Sequence, residues 1–169
     1  DLLDVLCKIH APLRIVELGA CIGYGAIALA QASGNEAHVD TVEANGALVT
    51  DARGYVAKAG LAARITVHHA KALEYLASQK ESIDLLYIDC VKEEYPAYVE
   101  AALPFLSRGA VIVADNTLWK GLVAVENVPE AERARVAAIR AFNTRLTQST
   151  DFRGSVLPLG DGVTLAVRV

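Results

Sequence analysis

Three parts of the sequence carry side chains suited to chemistry. One is Glu17-Leu-Gly-Ala-Cys-Ile-Gly-Tyr-Gly25, a glycine loop that opens on an acid. Another is Glu43, which ends the run His38-Val-Asp-Thr-Val-Glu43. The last is split: Asp89-Cys-Val-Lys92 and Asp115-Asn116 each follow an apolar run. Glycine lets the backbone approach a ligand closely. The pair Gly19 and Gly23 is spaced Gly-x-x-x-Gly, not the Gly-x-Gly-x-x-Gly that seats a pyrophosphate on a helix N-terminus, which opposes an NAD-dependent oxidoreductase. A carboxylate just before the turn, Glu17, repels a diphosphate but pairs with a cationic group. At the end of a second strand, Glu43 is placed to accept bonds from both hydroxyls of a ribose. A cationic amino-acid head joined to a ribose describes S-adenosyl-L-methionine. The carboxylates of Asp89 and Asp115 with the amide of Asn116 form a hard, all-oxygen donor set that suits Mg²⁺, Ca²⁺ or Mn²⁺, with positions left for water or substrate. Beside them, Lys92 is a candidate base, because burial or a neighbouring cation lowers an ammonium pKa. Each cluster also has a plain reading: glycines that only tighten a turn, and Asp or Asn that only cap helices and bond loops.

These residues need elements to hold them, and the chain alternates β-branched runs with alanine-rich stretches. Residues 2–9 read as a helix, 14–18 as a buried strand, 24–33 as a helix, and 38–43 as a second strand. A helix over about 46–59 stops at Gly60, a C-terminal cap. Residues 64–67 read as a strand, 70–79 as a short helix, 83–88 as a strand, 94–106 as a helix and 110–114 as a fifth strand. After a loop to about 128, Pro129 starts a helix with Glu130 and Glu132 in its first turn. Its apolar stripe is Val136, Ile139, Phe142 and Leu146. Finally 155–159 and 163–169 flank Gly160-Asp161-Gly162 and pair antiparallel. The expectation is one α/β domain over 1–169: a doubly wound, mostly parallel seven-stranded sheet with a C-terminal antiparallel hairpin. Ligands of such sheets bind at the carboxyl ends of the strands, where all three clusters fall.

Composition narrows the class. The chain has 169 residues, 53% hydrophobic, with a net charge of −4. Disorder needs low hydrophobicity and high charge, so it is excluded. The acidic balance disfavours nucleic acid, whose phosphates call for a basic surplus. The densest basic run, Arg133, Arg135, Arg140 and Arg145 among Glu130 and Glu132, reads as a solvated helix face. Three cysteines, with no Cys-x-x-Cys pair, fit a reducing cytoplasm. Residues 18–35 lack formal charge but are broken by glycine, Gln31, Ser33 and Asn35, so no membrane span is expected. Next to Asp89, Cys90 lacks a nearby histidine, and a carboxylate opposes thiolate formation, so it is not a nucleophile candidate. The pair His68-His69 reads as plain strand-end residues.

From about residue 13 onward the chain resembles the cation-dependent O-methyltransferases of the catechol and caffeoyl-CoA type, especially their small bacterial members. The resemblance rests on Val16-Glu-Leu-Gly with Gly23-Tyr24, Thr41-Val-Glu43, Ile83-Asp-Leu-Leu-Tyr-Ile-Asp89 with Lys92 and Tyr95, and Leu103-Pro with Gly109. It continues through Asp115-Asn-Thr-Leu-Trp-Lys-Gly121 and Leu157-Pro-Leu-Gly-Asp-Gly162. It implies a Rossmann-like methyltransferase fold and S-adenosylmethionine as methyl donor. Cofactor-binding positions would be Glu17, Gly19, Gly23, Tyr24, Glu43, Ala72 and Asp89. Metal ligands would be Asp89, Asp115 and Asn116; the catalytic pair would be Lys92 and Asp89; Trp119 would line the acceptor. The acceptor would be a phenolic or catechol-like small molecule, and the enzyme a cytoplasmic homodimer. Methylation of a hydroxylated tRNA nucleoside and a cofactor-binding module without catalysis are the alternatives.

Four places depart from the family pattern. A Gly, Gly25, stands where Ser or Thr is usual. The pair Cys90-Val91 replaces Ala-Asp, Ala70-Lys71-Ala72 replaces Gly-Asp-Ala, and Cys21-Ile22 is unusual in the loop. The sequence contains no methionine and opens on Asp1, so a front segment carrying part of the acceptor pocket is expected to precede it.

Overall fold

The computed structural model describes residues 2–169. Seven strands form a single sheet in the order β3-β2-β1-β4-β5-β7-β6. They are β1 (Arg14–Leu18), β2 (His38–Glu43), β3 (Ile65–His69), β4 (Ile83–Ile88), β5 (Leu106–Asp115), β6 (Phe152–Leu157) and β7 (Val163–Arg168). The first five pair parallel, while β7 runs antiparallel to both β5 and β6. The near-continuous Val, Ile and Leu of β1, β4 and β5 reflect burial on both faces, as a parallel sheet requires. The expected fold class is therefore the observed one.

Helices cover the two faces. On one side lie α1 (Leu2–His10), α2 (Tyr24–Ala32) and α3 (Gly46–Lys58), around a core that includes Ile15, Leu29, Val39, Val56 and Leu85. On the other lie α4 (Ala72–Ala77), α5 (Tyr95–Ala102) and α6 (Arg133–Thr147), around Val16, Leu86, Tyr95, Ile112 and Phe142. Alternate residues of β1 and β4 face opposite cores, which is the two-residue period of a strand.

Several boundaries differ from those read in the sequence. The helix expected over 94–106 is a 3-10 turn at Lys92–Glu94 followed by α5, which ends at Ala102. Two residues on, Pro104 has no N–H to continue a helix. The fifth strand begins at Leu106, not 110, since the polar Ser107-Arg108-Gly109 is carried into the sheet by pairing of Leu106 with Ile83. Helix α4 is shorter than 70–79 because Ala70 N–H bonds the Glu43 carbonyl and prolongs the β2–β3 register. Helix α6 starts at Arg133 behind a 3-10 turn at Glu130–Glu132, and the hairpin's first strand is Phe152–Leu157, not 155–159.

The arginines of α6 lie on an exposed or half-exposed face, as expected, but they carry partners there. The guanidinium of Arg140 donates to the carbonyls of Leu122, Val123 and Val125, and Arg145 pairs with Glu100 and Asp151. Sequence spacing put them on one face but could not show the loop and acids opposite. Likewise His68 is not a bare strand end: its Nε2 lies 2.6 Å from Oδ1 of buried Asp40, which Arg14 also meets at 3.0 Å.

The hairpin also grips a loop. Backbone N–H groups of Thr117 and Leu118 donate to the carbonyls of Gly162 and Asp161, and Lys120 N–H donates to the Asp161 carboxylate. On α6, Asn143 donates to the Thr117 carbonyl at 2.9 Å and accepts from Thr164 at 2.7 Å. The close approach needs glycine: a Cβ on Gly162 (φ 88°) would sit 2.6 Å from the Leu118 backbone nitrogen. A G162A substitution should therefore destabilise the protein by about 2 kcal/mol or more, through a strained left-handed backbone and a displaced loop. Urea denaturation with a lowered midpoint and unchanged m-value is the expected result.

Candidate active site

The sheet order reverses at β1, with β2 on one side and β4 on the other, so a crevice opens at its carboxyl end. The glycine loop leaves β1 there. The N–H groups of Gly19 and Ala20 bond the Val42 carbonyl, and Cys21 N–H donates to Glu43 Oε2 at 3.0 Å. The other oxygen, Oε1, accepts from Asn45 N–H at 2.9 Å. The loop and Glu43 thus form one hydrogen-bonded unit, with the carboxylate half-exposed at the rim. A Cβ on Gly19 (φ 101°) would lie 2.1 Å from the Asp89 carbonyl oxygen, so this glycine lets the ends of β1 and β4 touch. Beyond it, Gly23 is buried at the head of α2, the Tyr24 side chain is 77% exposed, and buried Ala72 opens α4 at the same rim.

The structure separates Glu17 from that rim. Its side chain lies beneath the first turn of α2 and the residue is 1% exposed. Opposite it in the β1–β2 register is Thr41, whose hydroxyl donates to its carboxylate. A Cβ on Gly25 would fall 1.9 Å from Glu17 Oε1, so the space that any side chain at 25 would occupy belongs to this carboxylate. The missing hydroxyl at 25 and the buried acid are one packing arrangement. Burial raises the Glu17 pKa to about 7, against the lowering bond from Thr41, with Asp89 repulsion adding to the rise.

At the neighbouring ends of β4 and β5 stand Asp89, Asp115 and Asn116. The phenols of Tyr87 and Tyr95 are both pushed upward, first by burial and then by the charges of Asp89 and Asp115, so the two carboxylates act on one region. The Tyr95 hydroxyl lies within hydrogen-bond distance of the carbonyls of Ile88, at 3.2 Å, and Asp115, at 3.1 Å, which ties the strand ends together. Among the described residues no three His, Cys, Asp or Glu side chains gather as a metal cluster, so the donor set depends on the Asn116 amide. That residue has a left-handed backbone (φ 58°), as do Trp119, Lys120 and Gly121 in the same loop. A set of two carboxylates and an amide oxygen fits a divalent cation of the Mg²⁺ or Ca²⁺ type. The lysine, Lys92, is 8% exposed and its Nζ donates to Asp89 Oδ1 at 2.7 Å. The half-buried Trp119 donates its indole N–H to Glu132 Oε2 at 2.8 Å. A cavity of about 240 Å³ opens between α1, α2 and the sheet, lined by Leu2, Leu3, Tyr24, Gly25, Tyr87 and Asp115 among others.

Sequence reading brought together Glu43 with its loop, and Asp89 with Lys92. It missed Thr41, the Tyr95 bridge, and the grip of Asn143 and Asp161 on the loop. A clue to the first lay in a threonine inside an otherwise apolar strand, and to the last in the Gly-Asp-Gly turn.

An O-methyltransferase family model matches residues 1–169. The chain belongs to the O-methyltransferase family. A caffeoyl-CoA O-methyltransferase of Populus kitakamiensis is 31% identical over 175 residues, covering 99% of this chain and 74% of the relative. The structure of an O-methyltransferase from Bacillus cereus in complex with SAH superposes with a TM-score of 0.91 at 30% identity, covering 99% of this chain and 79% of that one. That of TomG from Streptomyces achromogenes, an O-methyltransferase involved in tomaymycin synthesis and in complex with SAM, gives 0.89 at 29% identity, covering 99% and 78%. Membership makes this protein an S-adenosylmethionine-dependent O-methyltransferase.

Two outcomes follow for this methyltransferase. The unfolded chain holds Glu17 near its ordinary 4.5 and the folded chain near 7, so the folded state retains the extra proton between those values. Its contribution to stability is present below about 4.5 and is lost as pH rises through 7, on the order of 3 kcal/mol. An E17Q variant should gain on the parent protein as pH rises from 5 to 8 in chemical denaturation, and not below 4.5. At the head of α4, Lys71 is an extended N-cap residue with no side-chain cap bond. A K71D substitution should supply that bond and raise stability by about 1 kcal/mol, seen as a higher midpoint in thermal unfolding.

Proposed function

We propose that this chain methylates a hydroxyl of a catechol-like or other phenolic small molecule, held at a divalent-cation site of Asp89, Asp115 and Asn116, with Lys92 as the base. The observation that carries the reading is the placement of Lys92 and the oxygen donors at adjoining strand ends beside the Glu43-bound glycine loop. In this reading Glu43 holds the ribose, the loop from Gly19 through Gly23 to Tyr24 covers the amino-acid portion, and the backbone at Ala72 meets the adenine. Below the loop, Glu17 supports it from under α2 without reaching the cofactor. Asp89, Asp115 and Asn116 would hold a divalent cation, which would supply a lowered pKa at the acceptor hydroxyl. With Asp89 engaged by the cation, the Lys92 ammonium would first lose a proton to solvent, and its neutral Nζ would then take the hydroxyl proton. The acceptor oxygen then bonds the sulfonium methyl, the methyl–sulfur bond breaks, and S-adenosylhomocysteine leaves. Much of the rate comes from holding oxygen and methyl about 3 Å apart, with Trp119 walling the acceptor side.

The reading extends to a cytoplasmic homodimer. Three free cysteines support the first, and the exposed Val5, Ile9 and Leu13 along and just after α1 support the second. No helix among the described residues is long and apolar enough to cross a membrane.

A methyl-transfer assay over a catechol panel and bulk tRNA, with calorimetry for the cofactor, tests the reading. EDTA or D115A should lower kcat/KM by about 10³-fold, and K92A should lower kcat by about 10²-fold. Neither variant should weaken S-adenosylmethionine binding by more than about threefold. Transfer undiminished in EDTA overturns the cation, full activity of K92A overturns the base, and methylation of tRNA alone overturns the acceptor class.

A further inference from the structure

Two of the proposed acceptor-site residues come from different parts of the chain, Lys92 after β4 and Trp119 after β5, and one side chain joins them. The guanidinium of Arg135 in α6 stacks over the Trp119 ring at 4.7 Å from its centroid. Its Nη1 donates to Glu132 Oε2 at 3.0 Å, the same oxygen that accepts the Trp119 indole N–H at 2.8 Å. Its Nη2 pairs with Glu93 Oε1 at 2.9 Å. The acid Glu93 sits in the 3-10 turn next to Lys92, whose Nζ is fixed on Asp89. The contacts close a circuit from the indole face and edge, through one planar cation, to the turn that carries the lysine.

The planar shape matters. A guanidinium stacks by its face while its N–H groups donate in its own plane, so one side chain holds an aromatic ring and two carboxylates at once; an ammonium offers no such face. The loop beneath needs an external hold, because Asn116, Trp119, Lys120 and Gly121 all have left-handed backbones. A second cation near the ring, Lys120, is exposed, and its Nζ lies farther off at 5.8 Å.

Resting on the function proposed above, we infer that Arg135 is a positioning residue that couples the acceptor wall at Trp119 to the Lys92 turn, so that acceptor binding and base placement are set together. Its charge partners are Glu93 and Glu132, one on the lysine turn and one beneath the indole edge.

The protein has a single tryptophan, so its fluorescence reports on Trp119 alone. The experiment measures emission and anisotropy in E93Q, R135A, R135K, K120A and the E93Q/R135A double variant. The same set is assayed for acceptor KM, kcat and S-adenosylmethionine Kd, with thermal unfolding as the check on folding. The residue Glu93 has no bond to Trp119, so E93Q should alter Trp119 emission through Arg135 and have no further effect in the R135A background. Acceptor KM should rise about fivefold in R135A, in the range of one cation–π contact and its pairing, with cofactor Kd unchanged. The R135K variant should fail to restore either readout, and K120A should leave both near the parent values. If E93Q leaves emission unchanged, or its effect adds fully to that of R135A, the coupling is overturned whatever the enzyme does. If emission is coupled while acceptor KM stays at the parent value in R135A, the positioning role is overturned. Should no variant or parent transfer methyl to any phenol, the function proposed above fails while the fluorescence cycle still decides the coupling.

Discussion

Everything in this molecule depends on the reversal of strand order at β1. The chain builds outward through β2 and β3, then returns to lay β4 on the other flank of β1. Two crossovers leaving in opposite directions cannot both cover the end of the central strand, and the gap they leave is the crevice. Residues far apart in sequence, such as Gly19, Glu43 and Asp89, meet there because their strands end at the same height. The contact between Gly19 and the Asp89 carbonyl marks how tightly that rim is closed. It also explains why the first and third chemical clusters share one edge.

The two halves of the crevice are stabilised differently. At the glycine loop the backbone does the holding: loop N–H groups bond the Val42 carbonyl and the Glu43 carboxylate. In the loop after β5, left-handed residues depart from the usual backbone minimum, and side chains from α6 and the hairpin hold them there. Beneath the first half lies Glu17, a buried carboxylate that a packed core would replace at lower cost. Its carboxylate is held there by the Thr41 hydroxyl and by the absence of a side chain at Gly25.

Much of this was legible in the sequence because parallel strands buried on both faces appear as short, continuous apolar runs, and their ends are where ligands bind. The candidates Glu43, Asp89, Asp115 and Asn116 needed only that rule. What stayed hidden depended on contacts between distant segments. The polar opening of β5 is a strand only because Ile83 is there to pair with Leu106. The arginines of α6 were legible as a surface face, but their partners, among them carbonyls within residues 122–125 and the acids at 93, 100 and 151, were not, because they lie elsewhere in the chain. The change to Gly25 looked like a lost hydroxyl, and only the structure shows that the Glu17 carboxylate fills the space a Cβ there would take and would have to shift to admit one.

The grip of the hairpin on the loop after β5 has a consequence for how the protein is made. Strands β1 to β3 and the glycine loop bond among themselves, so they can assemble as soon as they leave the ribosome. The loop after β5 cannot settle then, because the Asp161 carboxylate that holds Lys120 lies 41 positions further along the chain. Synthesis runs at about 5–20 residues per second, so that half waits a few seconds for its clamp. The nascent chain therefore passes through a stage in which the glycine loop is bonded to β2 and the loop after β5 is not yet clamped.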